Sequence, residues 1–251
     1  MTSKAQITKV ASRDGVDARV VERDYVLAHL VALISANDAE NRLVFKGGTS
    51  LRLLHVEEYR YSADLDYSVM IGSDAEGREV IRAALGQPRP DTIKSLSFDV
   101  DSARIHYVGP LGAERSIKLD LADDELVVNT EGRLLLRRWT DLPEVPITAY
   151  TTLEITAEKL RCVLQRLQCR DLLDLDLLLG DEDLTAAVEL FRRKTLHKGL
   201  DPATFAGKFE KRVKEYERRW DQELGEYLGE VPHFDEVERN VRRILRRAQL
   251  L

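Results

Sequence analysis

The stretch from Phe45 to Val69, FKGGTSLRLLHVEEYRYSADLDYSV, decides how this chain folds. An apolar run ends in two glycines, and a helical pattern follows, with Thr49 or a neighbour as its expected N-cap. Asp64 and Asp66 then alternate with apolar residues, which predicts a strand with both carboxylates on one face. A strand, a glycine turn and a helix together present backbone N–H groups to an anion, especially phosphate.

The paired carboxylates make a metal site plausible on chemical grounds. Two negative charges on one strand face repel each other unless a cation lies between them, and carboxylate oxygens are ligands that Mg²⁺ accepts. The later segment IKLDL repeats the alternation, so Lys118 and Asp120 share a strand face and Asp120 supplies a third carboxylate. An isolated Asp-x-Asp is most often the exposed face of a half-buried strand. Three aspartates beside a glycine turn indicate phosphoryl or nucleotidyl transfer instead.

The rest of the chain predicts two halves of different character. Strand-like patterns continue through IKLDL, whereas from Leu153 the apolar residues recur with a helical period almost to the end. We therefore expect an α/β fold, with a mixed-sheet domain over residues 1–150 and a helical domain over residues 151–251 that completes the active-site cleft.

Charge is distributed unevenly along the chain. The formal net charge is -6, which does not suggest a nucleic-acid-binding protein. Residues 192–251 nevertheless contain 15 Lys and Arg against 11 Asp and Glu, in clusters such as RRILRR. These clusters have two readings, as solvated helix faces or as a local basic patch.

The apolar runs and the two cysteines bear on location. The longest run, YVLAHLVALISA, is too short to cross a bilayer, and the polar opening segment predicts no secretory leader. We expect a cytosolic protein that does not associate with membranes. Cys162 and Cys169 lie in a helical pattern, which favours reduced thiols in the packing.

Several separated motifs resemble one known family. KGGTSL followed by RYSADLDYSV is similar to the signature of the AbiEii/AbiGii nucleotidyltransferase toxins, which belong to bacterial abortive-infection and toxin-antitoxin systems and include the MenT-type toxins. The resemblance extends to ERDYVLAHLVALI, IKLDL and EITAEKLRCVLQRLQCRDLLDLDLL, in the same order over roughly residues 20 to 180. It implies a nucleotidyltransferase-like fold in the first half of the chain.

The resemblance also implies an activity and its partners. The expected reaction moves an NMP from an NTP to the 3′ end of an RNA, and the expected RNA end is the tRNA acceptor stem. Mg²⁺, or alternatively Mn²⁺, is the expected cofactor, and a cognate antitoxin is the expected protein partner.

Individual residues take roles from the same resemblance. The metal ligands would be Asp64, Asp66 and Asp120. The residues expected to bind the nucleotide are Gly48, Thr49, Ser50, Lys118 and Arg166, and it stays open whether the hydroxyl of Thr49 or that of Ser50 contacts a phosphate. The motifs AEKL and RDLLD add Lys159 and Asp171 to the three aspartates as catalytic residues.

The AEKL and RDLLD motifs also have a physical reading. If residues 159–170 form one helix, then Lys159, Arg166 and Arg170 share a face and are able to meet a triphosphate or an RNA backbone. The same spacing is equally typical of a solvated stripe. Asp171 would orient Lys159 or accept a proton, and we expect Asp174 to form a structural ion pair.

Two other functions fit the same motifs. A kinase or a protein-modifying nucleotidyltransferase uses the same metal and phosphate groups. A nucleotide-binding module that acts mainly through its antitoxin would need the pocket but no turnover.

Overall fold

The computed structural model describes residues 2–180 and 183–251, which divide into two compact units. The first unit comprises Met1–Asp124 and Thr130–Tyr150, and the second comprises Glu125–Asn129 and Thr151–Leu251. Residues 125–129 therefore belong to the second unit, although the residues on both sides of them belong to the first. The assignment of catalytic and cleft-completing roles to residues 1–150 and 151–251 stays a prediction.

The first unit is built on one mixed sheet. Its helices are α1 (Lys4–Asp14), α2 (Ala18–Asn37), α3 (Gly47–Ser50), which continues into a π-helical turn (Leu51–His55), and α4 (Asp74–Leu85). Its strands are β1 (Leu43–Lys46), β2 (Asp64–Val69), β3 (Ser95–Asp99), β4 (Arg104–Val108), β5 (Glu114–Ala122), β6 (Thr130–Arg133) and β7 (Ile147–Tyr150).

The strand order is β3-β4-β5-β2-β1-β7-β6. The pairs β2–β5 and β1–β7 are parallel, and the other neighbours are antiparallel. The predicted α/β fold with a mixed sheet is confirmed. The two inner strands that carry the glycine turn and the aspartate pair, β1 and β2, lie at the centre of this order.

Strand β2 shows why alternation places the site. Leu65 and Tyr67 are buried on one face of the strand, and Asp64 and Asp66 are only partly buried on the other. Because side chains alternate along a strand, burial of the apolar set leaves the carboxylates together on the opposite face.

The helix after β1 begins earlier than predicted. Its first residue is Gly47, and its N-cap is Lys46, which makes no side-chain cap hydrogen bond, so the prediction of Thr49 or a neighbour as N-cap is wrong. Gly47 has a φ of 79°, a left-handed conformation that glycine adopts at little cost. The chain therefore turns from strand into helix without a capping residue between them.

The second unit is helical around its own core. Its helices are α5 (Thr152–Gln165), α6 (Cys169–Leu178), α7 (Leu184–His197), a 3₁₀ turn (Pro202–Thr204), α8 (Phe205–Leu224) and α9 (Phe234–Arg247). Large buried side chains form the core, among them Phe191, Phe205, Phe209, Tyr216 and Trp220. Cys162 and Cys169 are free and buried, as predicted. The predicted helical pattern also covers Asp181 and Glu182, which lie outside the described residues.

Residues 159–170 do not form one helix, so the condition for a shared face of Lys159, Arg166 and Arg170 is not met. Helix α5 ends at Gln165, and Arg166 and Gln168 have extended backbone conformations before α6 begins. Side chains of α8 satisfy carbonyls at this end, since Lys208 donates to Leu164 O at 3.1 Å and Arg212 donates to Arg166 O at 2.9 Å. Tertiary hydrogen bonds thus stabilise a break that helical periodicity does not predict.

In the described residues, no helix is both long enough and apolar enough to span a bilayer.

Candidate active site

The three predicted carboxylates lie on one face of the central strands. In the parallel pairing of β2 with β5, Asp66 faces Asp120 and Asp64 faces Lys118. In the antiparallel pairing of β1 with β2, Lys46 faces Asp66. Facing residues project from the same side of a sheet, so Asp64, Asp66 and Asp120 share one face with Lys46 and Lys118.

Lys118 contacts one of the three aspartates on this face. Its Nζ donates to Asp120 Oδ2 at 3.0 Å, and both side chains are 53% exposed. The pKa of Lys118 is raised above its ordinary value, mainly by the hydrogen bond to Asp120, and the charges of Asp64 and Asp66 add to the effect against burial. Lys118 therefore stays charged and responds to all three carboxylates.

The donor set fits a hard divalent cation by its chemistry. Three carboxylates from two adjacent strands supply the oxygen ligands that Mg²⁺ and Mn²⁺ accept. Among the residues that the structure describes, no three His, Cys, Asp or Glu side chains are gathered as a finished metal site. Asp120 is instead engaged by Lys118, so a cation at this face would compete with the ammonium group.

Gly47 brings backbone and carboxylate together. A Cβ added at this residue would lie 2.5 Å from Asp66 Oδ2, closer than side-chain atoms approach each other. The glycine is therefore required twice, for the left-handed turn and for the approach of Asp66. The result is a carboxylate set directly against the backbone of the glycine turn.

The two hydroxyls after the glycines have different partners. Thr49 Oγ1 donates to the carbonyl of Asp64 at 2.5 Å and ties the turn to β2. Ser50 Oγ is buried and has no hydrogen-bond partner in the described structure. Of the two hydroxyl groups, that of Thr49 already makes a hydrogen bond within the protein and that of Ser50 does not.

Sequence reasoning missed two buried cations at this turn. Lys46 is 7% exposed, and its Nζ lies 5.8 Å from the ring centre of Tyr150. Arg60 is 1% exposed, and its guanidinium lies against Gly48. Lys46 directly precedes the glycines, which was an available signal. Arg60 stands in a loop without periodicity, and nothing local predicts its burial.

The other predicted residues form a cluster in the helical unit. Lys159 Nζ lies 2.8 Å from Asp171 Oδ1 and 2.6 Å from Asp174 Oδ2, and all three side chains are buried. Arg166 donates to both oxygens of Asp171, at 2.8 and 3.0 Å, and remains 44% exposed. The predicted ion pair of Asp174 is confirmed. Arg170 does not join this cluster by helical spacing, because the helix is broken before it.

Burial by itself raises the pKa of Asp171, but the charge of Lys159 and the hydrogen bonds from Arg166 outweigh it. The pKa of Asp171 therefore lies below its ordinary value, and the carboxylate holds two cations at neutral pH.

With this geometry established, comparison with known proteins decides the family. The family model described as "Nucleotidyl transferase AbiEii toxin, Type IV TA system" matches residues 29–244. The chain belongs to the AbiEii family. It is a nucleotidyltransferase toxin of the type IV toxin-antitoxin class, and the predicted resemblance is confirmed. An antitoxin partner and an NTP substrate follow at the level of the family.

One solved structure supports the fold of this AbiEii protein. MenT4, a nucleotidyltransferase toxin from Mycobacterium tuberculosis H37Rv, is 21% identical with a TM-score of 0.73, over 100% of this chain and 91% of that chain. An antigenic nucleotidyltransferase-like protein from Paracoccidioides brasiliensis is 13% identical with a TM-score of 0.44, over 82% of this chain and 94% of that chain. No curated protein sequence matches the chain significantly.

Proposed function

We propose that this AbiEii protein is a cytosolic, metal-dependent enzyme that transfers an NMP from an NTP to the 3′ end of an RNA, the acceptor stem of tRNA. The observation that carries the proposal is the register that sets Asp120 beside Asp66 on the face that also carries Asp64. That arrangement offers three carboxylates to a divalent cation, which would in turn bind the phosphates of a nucleotide.

In this proposal Asp64, Asp66 and Asp120 hold Mg²⁺ or Mn²⁺. A bound divalent ion activates the attacking oxygen and neutralises charge on the phosphates. If a cation bound these carboxylates, Lys118 would be released from Asp120, and its ammonium group would be available to stabilise the departing pyrophosphate. Its half-exposed side chain is long enough and free enough of packing to make that change.

The glycine turn holds the triphosphate. Gly47 and Gly48 offer backbone N–H groups at the start of α3, and Gly47 is the more exposed of the two. Ser50 is the hydroxyl assigned to a phosphate, because Thr49 already binds the carbonyl of Asp64. A small opening of the turn is needed, since the side chain of Ser50 is buried.

The cluster in the helical unit acts as one group. Arg166 is its half-exposed cation and offers a guanidinium group of the kind that binds phosphate. Asp171 fixes Arg166 by two hydrogen bonds, and its lowered pKa makes it a weak base, which favours positioning over proton transfer. Lys159 keeps Asp171 charged and contributes its own charge from a buried position.

The test is a labelling experiment with purified protein. Total RNA and Mg²⁺ are incubated with each α-labelled NTP in turn, with γ-labelled NTP in parallel and Asp66→Ala as the inactive control. Label from the α position on RNA of tRNA size supports the proposal. Label from the γ position identifies a kinase, and α label on protein identifies a protein-modifying enzyme. Binding of NTP without transfer to any RNA or protein would leave only the nucleotide-binding module.

A further inference from the structure

We propose that Arg60 is a positioning residue for nucleotide binding, which supports the glycine turn from its buried side and adds a permanent positive charge there. The proposal rests on the assignment of this turn to the phosphates of an NTP, and it names a residue that the AbiEii resemblance did not single out.

The first observation is the space beside Gly48. A Cβ added at Gly48 would lie 2.3 Å from Nη2 of Arg60, 3.2 Å from Cζ and 3.3 Å from Nη1. The whole end of the guanidinium group therefore faces the Cα of this glycine. Gly48 does not have a left-handed backbone, unlike Gly47, so backbone strain does not require glycine at this position. The guanidinium of Arg60 requires it instead, because a Cβ at residue 48 would overlap that group.

The second observation is burial. Arg60 is 1% exposed, and a buried charge is costly unless its surroundings compensate it. Its Nη1 donates to the carbonyl of Tyr61 at 3.1 Å. Arginine does not lose its proton in proteins, so this charge is present at every working pH. In a low-dielectric setting such a charge acts strongly on an anion bound to the adjacent backbone.

The third observation is how firmly Arg60 is held. Its neighbours are both fixed by Arg52, which donates to the carbonyl of Tyr59 and lies 3.5 Å above the ring of Tyr61. Arg52 is itself buried and paired with Asp24 on α2. The guanidinium of Arg60 is therefore preorganised beside the turn, which lowers the cost of binding a phosphate there.

A purely structural arginine would look similar in the free protein, so the test must separate charge from support. The dissociation constants of NMP, NDP and NTP are measured in Mg²⁺ for the wild type, Arg60→Met and Arg60→Lys, with each of the four bases. If the charge acts on phosphates, the affinity loss in Arg60→Met grows with phosphate number and reaches roughly 10- to 100-fold for NTP. Arg60→Lys restores part of it.

Gly48→Ala disturbs the same contact from the side of the glycine, because its new methyl group pushes the guanidinium of Arg60 away. Gly132→Ala is the matched control, because a Cβ there meets nothing within 4 Å. We expect Gly48→Ala to weaken NTP binding as Arg60→Met does, and Gly132→Ala to bind normally. Should Arg60→Met not fold, Arg60→Lys and Gly48→Ala carry the same comparison.

Equal losses for NMP, NDP and NTP would overturn the proposal and leave Arg60 a structural residue. Unchanged binding in Arg60→Met and Gly48→Ala would overturn it as well. Binding is measured without RNA, so the two proposals fail separately. A wild type that binds NTP but labels no RNA contradicts the proposed transfer. The dissociation constants of the Arg60 variants still decide the role of Arg60 in that case.

Discussion

Asp120 faces Asp66 across the parallel pair of β2 and β5. Two strands that are distant in sequence thereby bring carboxylates to neighbouring positions on one face. Asp64 lies on the same face, two residues before Asp66 on β2. Lys118 donates a hydrogen bond to Asp120. The face is thus a set of acidic ligands with a lysine held beside them, which is the basis of the first prediction.

Asp66→Ala removes the carboxylate that abuts Gly47, on the residue that faces Asp120 in the register of β2 with β5. We expect nucleotide transfer to fall by roughly 10²-fold or more, since a metal ligand contributes several kcal/mol at the transition state. The melting temperature should stay within a few degrees, because the residue is partly exposed and lies among like charges. Initial rates with α-labelled NTP and thermal unfolding measure the two effects.

The matched control is Asp91→Asn, which alters an exposed aspartate away from the sheet. Chelation of divalent ions should abolish transfer in the wild type, and added Mg²⁺ should restore it there but not in Asp66→Ala. Full activity of Asp66→Ala in Mg²⁺ would rule out the site.

Gly47→Ala tests the close approach of Asp66. Gly112 has nearly the same left-handed backbone, with φ of 84° against 79°, but no atom lies within 4 Å of its added Cβ. Each alanine variant should lose about 1–2 kcal/mol of stability from backbone strain. Only Gly47→Ala should also lose transfer activity, because its methyl group displaces Asp66. If Gly47→Ala and Gly112→Ala had the same transfer activity per folded molecule, this account would be wrong.

Removing the hydroxyl of Thr49 should affect stability, whereas removing the hydroxyl of Ser50 should affect nucleotide binding. Thr49→Val removes the hydrogen bond to the carbonyl of Asp64 and should lower the free energy of unfolding by about 1 kcal/mol. Ser50→Ala removes a buried hydroxyl without a partner and should leave stability unchanged or raised, while KM for NTP increases. Urea titrations and steady-state kinetics give both quantities. An unaltered KM in Ser50→Ala would exclude its phosphate contact.

The buried triad of Lys159, Asp171 and Asp174 should dominate the stability of the helical unit. Asp174→Asn leaves Lys159 partly uncompensated and should lower the free energy of unfolding by about 3 kcal/mol, since breaking a buried ion pair costs about 3–5 kcal/mol. Where the variant is folded, we expect near-normal kcat. The exposed Lys211 provides a control, as Lys211→Met should change stability by less than about 0.5 kcal/mol. A large loss of kcat in folded Asp174→Asn would give that residue a role in catalysis.

His55 should make stability depend on pH below neutrality. Burial lowers its pKa to about 4, with the charge of Arg133 adding to the effect and Glu131 opposing it. An unfolded histidine titrates near 6.5, so between these values the unfolded state binds more protons and stability falls as pH falls. The full effect is about 3 kcal/mol between pH 7 and pH 4.

The measurement is the free energy of unfolding from urea titrations across that range. His55→Gln does not titrate, so its pH profile should be flatter than that of the wild type, whatever its absolute stability. His29, whose pKa burial also lowers, accounts for part of the remaining slope. Parallel profiles for the two proteins would show that His55 does not contribute.

The central sheet could be predicted because local chemistry agrees with the fold. Alternation in β2 and β5 puts their apolar residues in the core, and that alone commits Asp64 and Asp66 to one face and Lys118 and Asp120 to one face. The glycine pair announces a turn after β1. The break after Gln165 could not be predicted, since carbonyls at that end are satisfied by Lys208 and Arg212 from a distant helix.

The sequence by itself determined the α/β character, the helical second half, the faces of the acidic residues and the AbiEii family, because periodicity and short motifs are local properties. Only the tertiary structure decided that Asp120 pairs with Asp66, that Arg60 lies against Gly48, and that Lys159 is buried between two aspartates. Those relationships join residues far apart in the chain, and strand register and side-chain burial are settled by packing of the whole unit rather than by any local preference.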